Sequence, residues 1–168
     1  MSVVAEWSRM LPKGGTVLDL GCGTGVPISE VLIDRGFDLY GVDASLRMVV
    51  TFRARFPNVP VECAAVEDSD YFGRTFDGVV AWGLFFLLDA GVQRRLLAKV
   101  AAILPGGGSL LFTAPKQSCS WVDAMTGQTS VSLGHDAYRG ILATNGMPLL
   151  GTRIDQGENH YYLAQKLR

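Results

Sequence analysis

Val17-Leu18-Asp19-Leu20-Gly21-Cys22-Gly23-Thr24-Gly25 reads as a buried strand running straight into a turn that only glycines make. Val17 and Leu18 begin a short apolar run of the kind a parallel strand covered on both faces requires. Gly21, Gly23 and Gly25 permit positive φ and close backbone approach. Pro27 falls about where the first turn of a helix belongs, Ile28, Val31 and Leu32 supply an apolar stripe, and Gly36 closes it. The unit is strand, glycine turn, helix. Unpaired backbone N–H groups and the positive helix end then face whatever lies above the sheet, which makes such a turn a general nucleotide cradle.

Spacing narrows the choice. The nicotinamide and flavin fingerprint needs a third glycine three residues after the second, and that place holds Val26. The pattern present is Asp-x-Gly-x-Gly-x-Gly, and a second strand, Leu39 to Val42, ends in Asp43, an acid placed to accept from both hydroxyls of a ribose.

On these residues the chain resembles the class I S-adenosylmethionine-dependent methyltransferases, from about Val17 to Pro115 with a looser fit beyond. The resemblance implies an α/β fold, a doubly wound, mostly parallel seven-stranded Rossmann-like sheet with an antiparallel last strand. It implies S-adenosyl-L-methionine as cofactor. Gly21, Gly23 and Gly25 would pass beneath its methionine part, with Cys22 between them; Asp19 would hold the loop or reach the amino group; Asp43, followed by Ala44, would bind the ribose.

At 168 residues there is room for one domain, 1–168, with a real core. A hydrophobic share of 48% with 18% charge is that of a compact soluble chain, and no apolar run approaches the ~20 residues of a membrane span. The start, Met1 to Glu6, lacks the basic head of a signal peptide, so a cytoplasmic location is expected. Cys22, Cys63 and Cys119 have no metal-ligand spacing and fit a reducing compartment. Net charge is −1, and Arg47/Arg53/Arg55 and Arg94/Arg95 read as solvated helix faces, so neither nucleic acid nor membrane is expected as a partner.

Val3, Val4, Trp7, Met10 and Leu11 recur at helical spacing, giving one short amphipathic helix within 1–15. Many relatives carry a longer amino-terminal region that roofs the substrate. Its near absence leaves the pocket open, covered from elsewhere, or completed by another chain, as in a homo-oligomer. Ser45 is an N-cap before Met48, Val49, Phe52 and Phe56, the buried side of a helix stopped by Pro57. Val59 to Ala64 is the third strand. The acid that meets the adenine amino group in the family comes slightly late here, so Glu67 or the Val66 backbone is assigned to the adenine with Asp68 in reserve.

Gly78 to Trp82 is the fourth strand, pointing Ala81 and Trp82 at the methionine end of the cofactor. An Asn/Asp-Pro-Pro-aromatic motif would signal methylation of an exocyclic amide or base nitrogen, and Ala81-Trp82-Gly83-Leu84 is not that motif. Trp82 either meets the sulfonium by a cation–π contact, on the order of 0.5–2 kcal/mol, or only walls the pocket. Phe85 and Phe86 are assigned to the core. Leu96 to Leu104 continues at helical spacing to Pro105, and Ser109 to Ala114 is the fifth strand.

Residues 116–133 are polar and longer than a usual loop, a substrate-side insertion in which Trp121, Met125 and nearby Tyr138 supply apolar contacts. His135 to Asn145 is a short helix. Leu149 to Ile154 and Tyr161 to Gln165 form a strand pair within 148–168. If the first of these runs parallel to the others, the turn from Asp155 to Tyr161 hangs over the substrate mouth, bringing Asp155, Glu158 and Tyr161 to the acceptor side. A hydroxyl or protonated amine acceptor needs a proton-accepting residue, and His160 or His135 is the candidate. No Asp/Asn set for magnesium can be assembled, so no metal is expected. The expected activity is in-line methyl transfer to a small-molecule acceptor. The alternative is a cofactor-binding but inactive subunit supporting a partner chain, motivated by the missing roof and an exposed apolar helix at the start.

Overall fold

The computed structural model describes residues 2–168. Seven strands form one sheet: β1 (Thr16–Leu20), β2 (Asp38–Asp43), β3 (Val61–Cys63), β4 (Gly78–Ala81), β5 (Ser109–Thr113), β8 (Leu149–Ile154) and β9 (His160–Gln165), in the order β3-β2-β1-β4-β5-β9-β8. β1 to β5 are mutually parallel, and β9 alone runs antiparallel, between β5 and β8. β1 lies between β2 and β4, so the chain leaves the centre in one direction for β2 and β3 and in the other for β4 and β5. The glycine turn therefore sits at the topological switch point, where open α/β sheets bind ligands.

Both faces are covered, which is why β1, β4 and β5 are nearly continuous in apolar residues. Helices α1 (Val3–Trp7), α2 (Ile28–Asp34) and α3 (Leu46–Arg55) pack Trp7, Leu32, Val49 and Phe52 on one face. The other face takes α4 (Ala90–Ile103) and α5 (His135–Thr144), through Leu96, Leu97, Val100, Tyr138 and Leu142. Among the described residues no helix is long and apolar enough to cross a membrane.

Three expectations change. The amino-terminal helix ends at Trp7 and continues as a 3-10 turn over Ser8–Met10, which leaves Met10 exposed. Nor is its apolar side exposed: Val4, Ala5 and Trp7 are buried, and Trp7 Nε1 donates to Ser109 Oγ at 2.9 Å on β5. The motive for a supporting subunit that docks through this helix thus disappears. Trp7→Phe, which removes that buried donor and leaves a void where the larger indole ring packed, should lower unfolding free energy by about 2–3 kcal/mol in a urea titration. In α3 the Ser45 hydroxyl caps Met48 N as expected, but Met48 turns outward and only Val49 and Phe52 are buried.

The third change concerns 116–133. Instead of an irregular loop it contains an antiparallel hairpin, β6 (Cys119–Val122) with β7 (Thr129–Ser132). Ser130 and Ser132 of β7 point inward and are buried, and the polar composition had hidden that alternation. Gly134 closes the segment at φ +86°, where an added Cβ would lie 2.8 Å from Ser118 N.

Candidate cofactor and acceptor sites

The β1–α2 turn is built as its glycines require. Gly21, Gly23 and Gly25 all have positive φ, at +69°, +55° and +86°. A Cβ on Gly25 would stand 2.5 Å from the Phe56 ring and 3.0 Å from Phe52, because the turn is pressed against α3. Gly25→Ala should cost about 1–3 kcal/mol in stability, read by denaturant midpoint, from strain and overpacking together. Gly23 differs: a Cβ there meets nothing within 4 Å. The space above it belongs to a cavity of about 170 Å³ lined by Asp19, Gly21, Cys22, Gly23, Trp82 and Gly83 among others.

Asp43, at the tip of β2, turns toward this loop. Its Oδ2 accepts from Gly23 N at 2.8 Å and its Oδ1 from Ser45 N at 2.8 Å. A carboxylate oxygen has two lone-pair directions, so each retains one for a further donor. Asp19 is almost wholly buried and accepts from Ser29 Oγ at 2.6 Å. Burial, opposed by the Ser29 bond and reinforced by the Asp43 charge, pushes its carboxyl up to about 7. Cys22 faces the core beside Gly41, and burial pushes its thiol well up, so it serves packing and not reaction. Trp82 walls the cavity with its Nε1 buried and without a hydrogen-bond partner. Ala81 is buried beneath it.

These observations fit S-adenosylmethionine: an open glycine cradle, a carboxylate with free lone pairs at the tip of β2, and a buried acid beside the turn. The residues expected beside the ribose and at the adenine lie apart. Ala44 is exposed; Val66 is buried and its carbonyl accepts from Tyr71 Oη at 2.7 Å; Glu67 is half-buried and its carbonyl accepts from Lys99 Nζ at 2.8 Å. None of the three lines the glycine-loop cavity.

A second cavity, about 420 Å³, opens beyond β5 and is lined by Phe86, Thr113, Lys116, Trp121, Glu158 and His160 among others. Gly83 N donates to Thr113 Oγ1 at 2.8 Å, so the two cavities share a wall. Trp121, Glu158 and His160 are thus brought together as the sequence suggested. β8 is parallel to β5, and its turn does hang over this mouth.

The remaining acceptor-side residues fall elsewhere. Tyr138 is fully buried, donating to Gln93 Oε1 at 2.6 Å and packed on Phe112, so it is a core residue. Tyr161 is buried on the α1 face and its hydroxyl donates to Asp155 Oδ2 at 3.0 Å. Asp155 also accepts from Gly157 N and Asn159 N; against the pull of partial burial, the bonds from Asn159, Tyr161 and Gly157 hold its carboxyl below the usual range. It knots its own turn and is not free to meet an acceptor. His135 starts α5 beside a separate surface cavity. His160 lines this second cavity, and burial first, then the electrostatic influence of His135 and Lys116, lowers its pKa. Phe86, assigned to the core, instead faces this cavity and packs on Trp121 with ring centroids 5.7 Å apart. Lys116 and Thr113 were missed, although their place at the end of β5 was a usable signal.

Strand order, glycine turn and terminal acid together define the class I methyltransferase architecture, whose cofactor is S-adenosyl-L-methionine. The comparisons agree: residues 17–108 match the family described as methyltransferase domain, and the chain belongs to that family. It is 32% identical over 122 residues to dimethylglycine N-methyltransferase of Parasynechococcus marenigrum (strain WH8102), covering 62% of this chain and 39% of that protein. It is also 32% identical over 120 residues to tRNA U34 carboxymethyltransferase of Cellvibrio japonicus (strain Ueda107), covering 64% and 37%. The chain thus spans about two fifths of the length of these relatives. Among solved structures, SAM-bound CalS10, an amino pentose methyltransferase from Micromonospora echinaspora, superimposes with a TM-score of 0.80 at 19% identity, over 98% of this chain and 88% of that one, which is a likeness of fold.

Proposed function

We propose that the chain transfers a methyl group from S-adenosylmethionine to a small molecule held in the cavity beyond β5. The observation that carries this reading is the shared wall: the Gly83 N to Thr113 Oγ1 bond joins the glycine-loop cavity to the acceptor cavity, so donor and acceptor would meet between Trp82 and Thr113. When bound, the cofactor supplies a methyl group on a sulfonium, already activated for in-line displacement. The chain's own task is alignment and exclusion of water. Asp43 would accept from the ribose hydroxyls, Asp19 from the methionine ammonium, and the Gly21 to Gly25 backbone would support the chain between them. Ala44, next to Asp43, is proposed beside the ribose, Val66 and Glu67 for the adenine, and Ala81 and Trp82 for the methionine end.

His160 is the proposed proton acceptor, since it lines this cavity, its Nε2 has no hydrogen-bond partner, and burial lowers its pKa. His160→Gln should lower kcat about 100-fold or more for an acceptor that must lose a proton. Because a base acts unprotonated and this pKa is lowered, the wild-type rate should stay flat down to below pH 6.5 and fall beneath it, and the variant should lose that acid limb. The net charge of −1 supports a small acceptor over a tRNA. Transfer of labelled methyl from S-adenosylmethionine into a panel of small amines, acids and hydroxyl compounds, with bulk tRNA in parallel, tests the reading. Label in a small molecule supports it; label confined to tRNA, or none from a chain that binds the cofactor, contradicts it.

A further inference from the structure

Two opposite charges stand unpaired on the walls of the acceptor cavity. Lys116 enters from the segment after β5 and Glu158 from the β8–β9 turn. Among the described residues the ion pair present is Arg139 with Asp136, and neither Lys116 Nζ nor the Glu158 carboxylate makes a hydrogen bond within the chain. What singles them out is that, of opposite sign, they line one cavity. We propose that the acceptor is zwitterionic, an amino compound whose basic nitrogen faces Glu158 and whose anionic group is held by Lys116. The proposal rests on the methyl-transfer reading and gives its substrate class.

Three further features agree. Glu158 has φ +61°, a region that costs a residue with a Cβ, although Gly157 stands next to it and does not use its freedom there. The turn holds Glu158 in that conformation from both sides, since Gly157 N and Asn159 N both donate to Asp155 Oδ1 at 2.9 Å. The turn thus fixes where the Glu158 side chain leaves the backbone, at the wall of this cavity. Phe86 and Trp121 present an aromatic pair to the same cavity, suited to a nitrogen that carries positive charge. Finally, the His160 pKa is lowered, so Lys116 is the full positive charge on its wall, and the Gln117 amide beside it offers a further donor to an anion.

The test uses the full chain saturated with S-adenosylhomocysteine, titrated in a calorimeter. Ligands are glycine, its N-methyl derivatives and larger α-amino acids, each matched with the amine lacking the carboxylate and with the N-acetylated acid. At least one zwitterion should bind ten-fold or more tightly than either of its halves. Lys116→Met should weaken that zwitterion at least ten-fold and leave the matched amine unchanged; Glu158→Gln should do the same and leave the matched acid unchanged. Both side chains are exposed, so thermal midpoints should not fall and cofactor affinity should stay within about two-fold. If the cofactor binds but no zwitterion outbinds its halves, or if the variants bind it as the wild type does, the proposal is wrong while methyl transfer stands. If the wild type does not bind the cofactor, the methyl-transfer reading itself is wrong, and this inference goes with it.

Discussion

Replacing Asp43 with alanine should weaken S-adenosylmethionine binding by about 1–3 kcal/mol, or roughly 5- to 150-fold, measured by calorimetry near pH 7.5. The size follows from what the side chain already does. Its two oxygens accept from Gly23 N and Ser45 N, and each keeps a lone pair for a further donor. Two ribose hydroxyls would complete four charge-assisted bonds on one carboxylate. Asp43→Asn keeps one acceptor oxygen and replaces the other by a donor, so it should lose nearly as much. Alanine also frees the Gly23 and Ser45 amides, so the apo protein should lose stability as well. Unchanged affinity in either variant would remove Asp43 from the ribose.

The second large effect belongs to Asp19, and it carries two opposite signs. In the folded chain burial first, and the Asp43 charge last, hold this carboxyl at about 7, against 3.8 for the free group, with the Ser29 bond pulling the other way. Between pH 4 and pH 7 the native state therefore binds a proton that the unfolded chain has released. The stability of the cofactor-free protein should fall as pH rises through that window, by about 4 kcal/mol once pH exceeds 7. Asp19→Asn should flatten this dependence and make the apo protein more stable than wild type at pH 8. The same substitution should weaken cofactor binding about ten-fold or more, because an ionised Asp19 would face the methionine ammonium. Wild-type affinity should rise toward pH 7 as Asp19 ionises, then decline above about 8 as the α-amino group of the ligand loses its proton. Denaturation and binding curves that move together, or neither moving, would contradict the role.

How much of this was legible depended on whether backbone or side-chain packing decided the feature. The glycine turn, β2 and its terminal Asp43 could be read directly, since positive φ and strand ends leave marks in residue type. The β8 direction entered the sequence reading only as a condition, and the antiparallel pairing of β9 with both β5 and β8 supplies it. The helix packed on β5 was read as apolar but not as closed, because the Trp7 to Ser109 bond joins residues 102 apart and no local pattern encodes it. The 116–133 hairpin was hidden by composition: its inward residues are serines, which bury small volumes, and of the two only Ser132 is bonded, donating its Oγ to the Pro115 carbonyl at 2.7 Å, while the Ser130 hydroxyl is buried without a partner. Tyr138 and Phe86 exchanged places for a similar reason. Both are aromatics near the cavity, and only the rotation of α5 and of the short turn after β4 determines which one faces it. Glu158 was legible from its place in the β8–β9 turn and Lys116 only from its place after β5; that the two opposite charges line one cavity is a matter of packing that no local pattern encodes.

The central claim is that a sulfonium nucleoside lies across the tips of β1 and β2 and directs its methyl group at the cavity beyond β5. A crystal structure with S-adenosylhomocysteine tests it most directly. The account predicts ribose hydroxyls about 3 Å from the Asp43 carboxylate, the methionine part over Gly23, and the sulfur facing the gap between Trp82 and Thr113. A ligand seated elsewhere, or one whose sugar leaves Asp43 untouched, would contradict it.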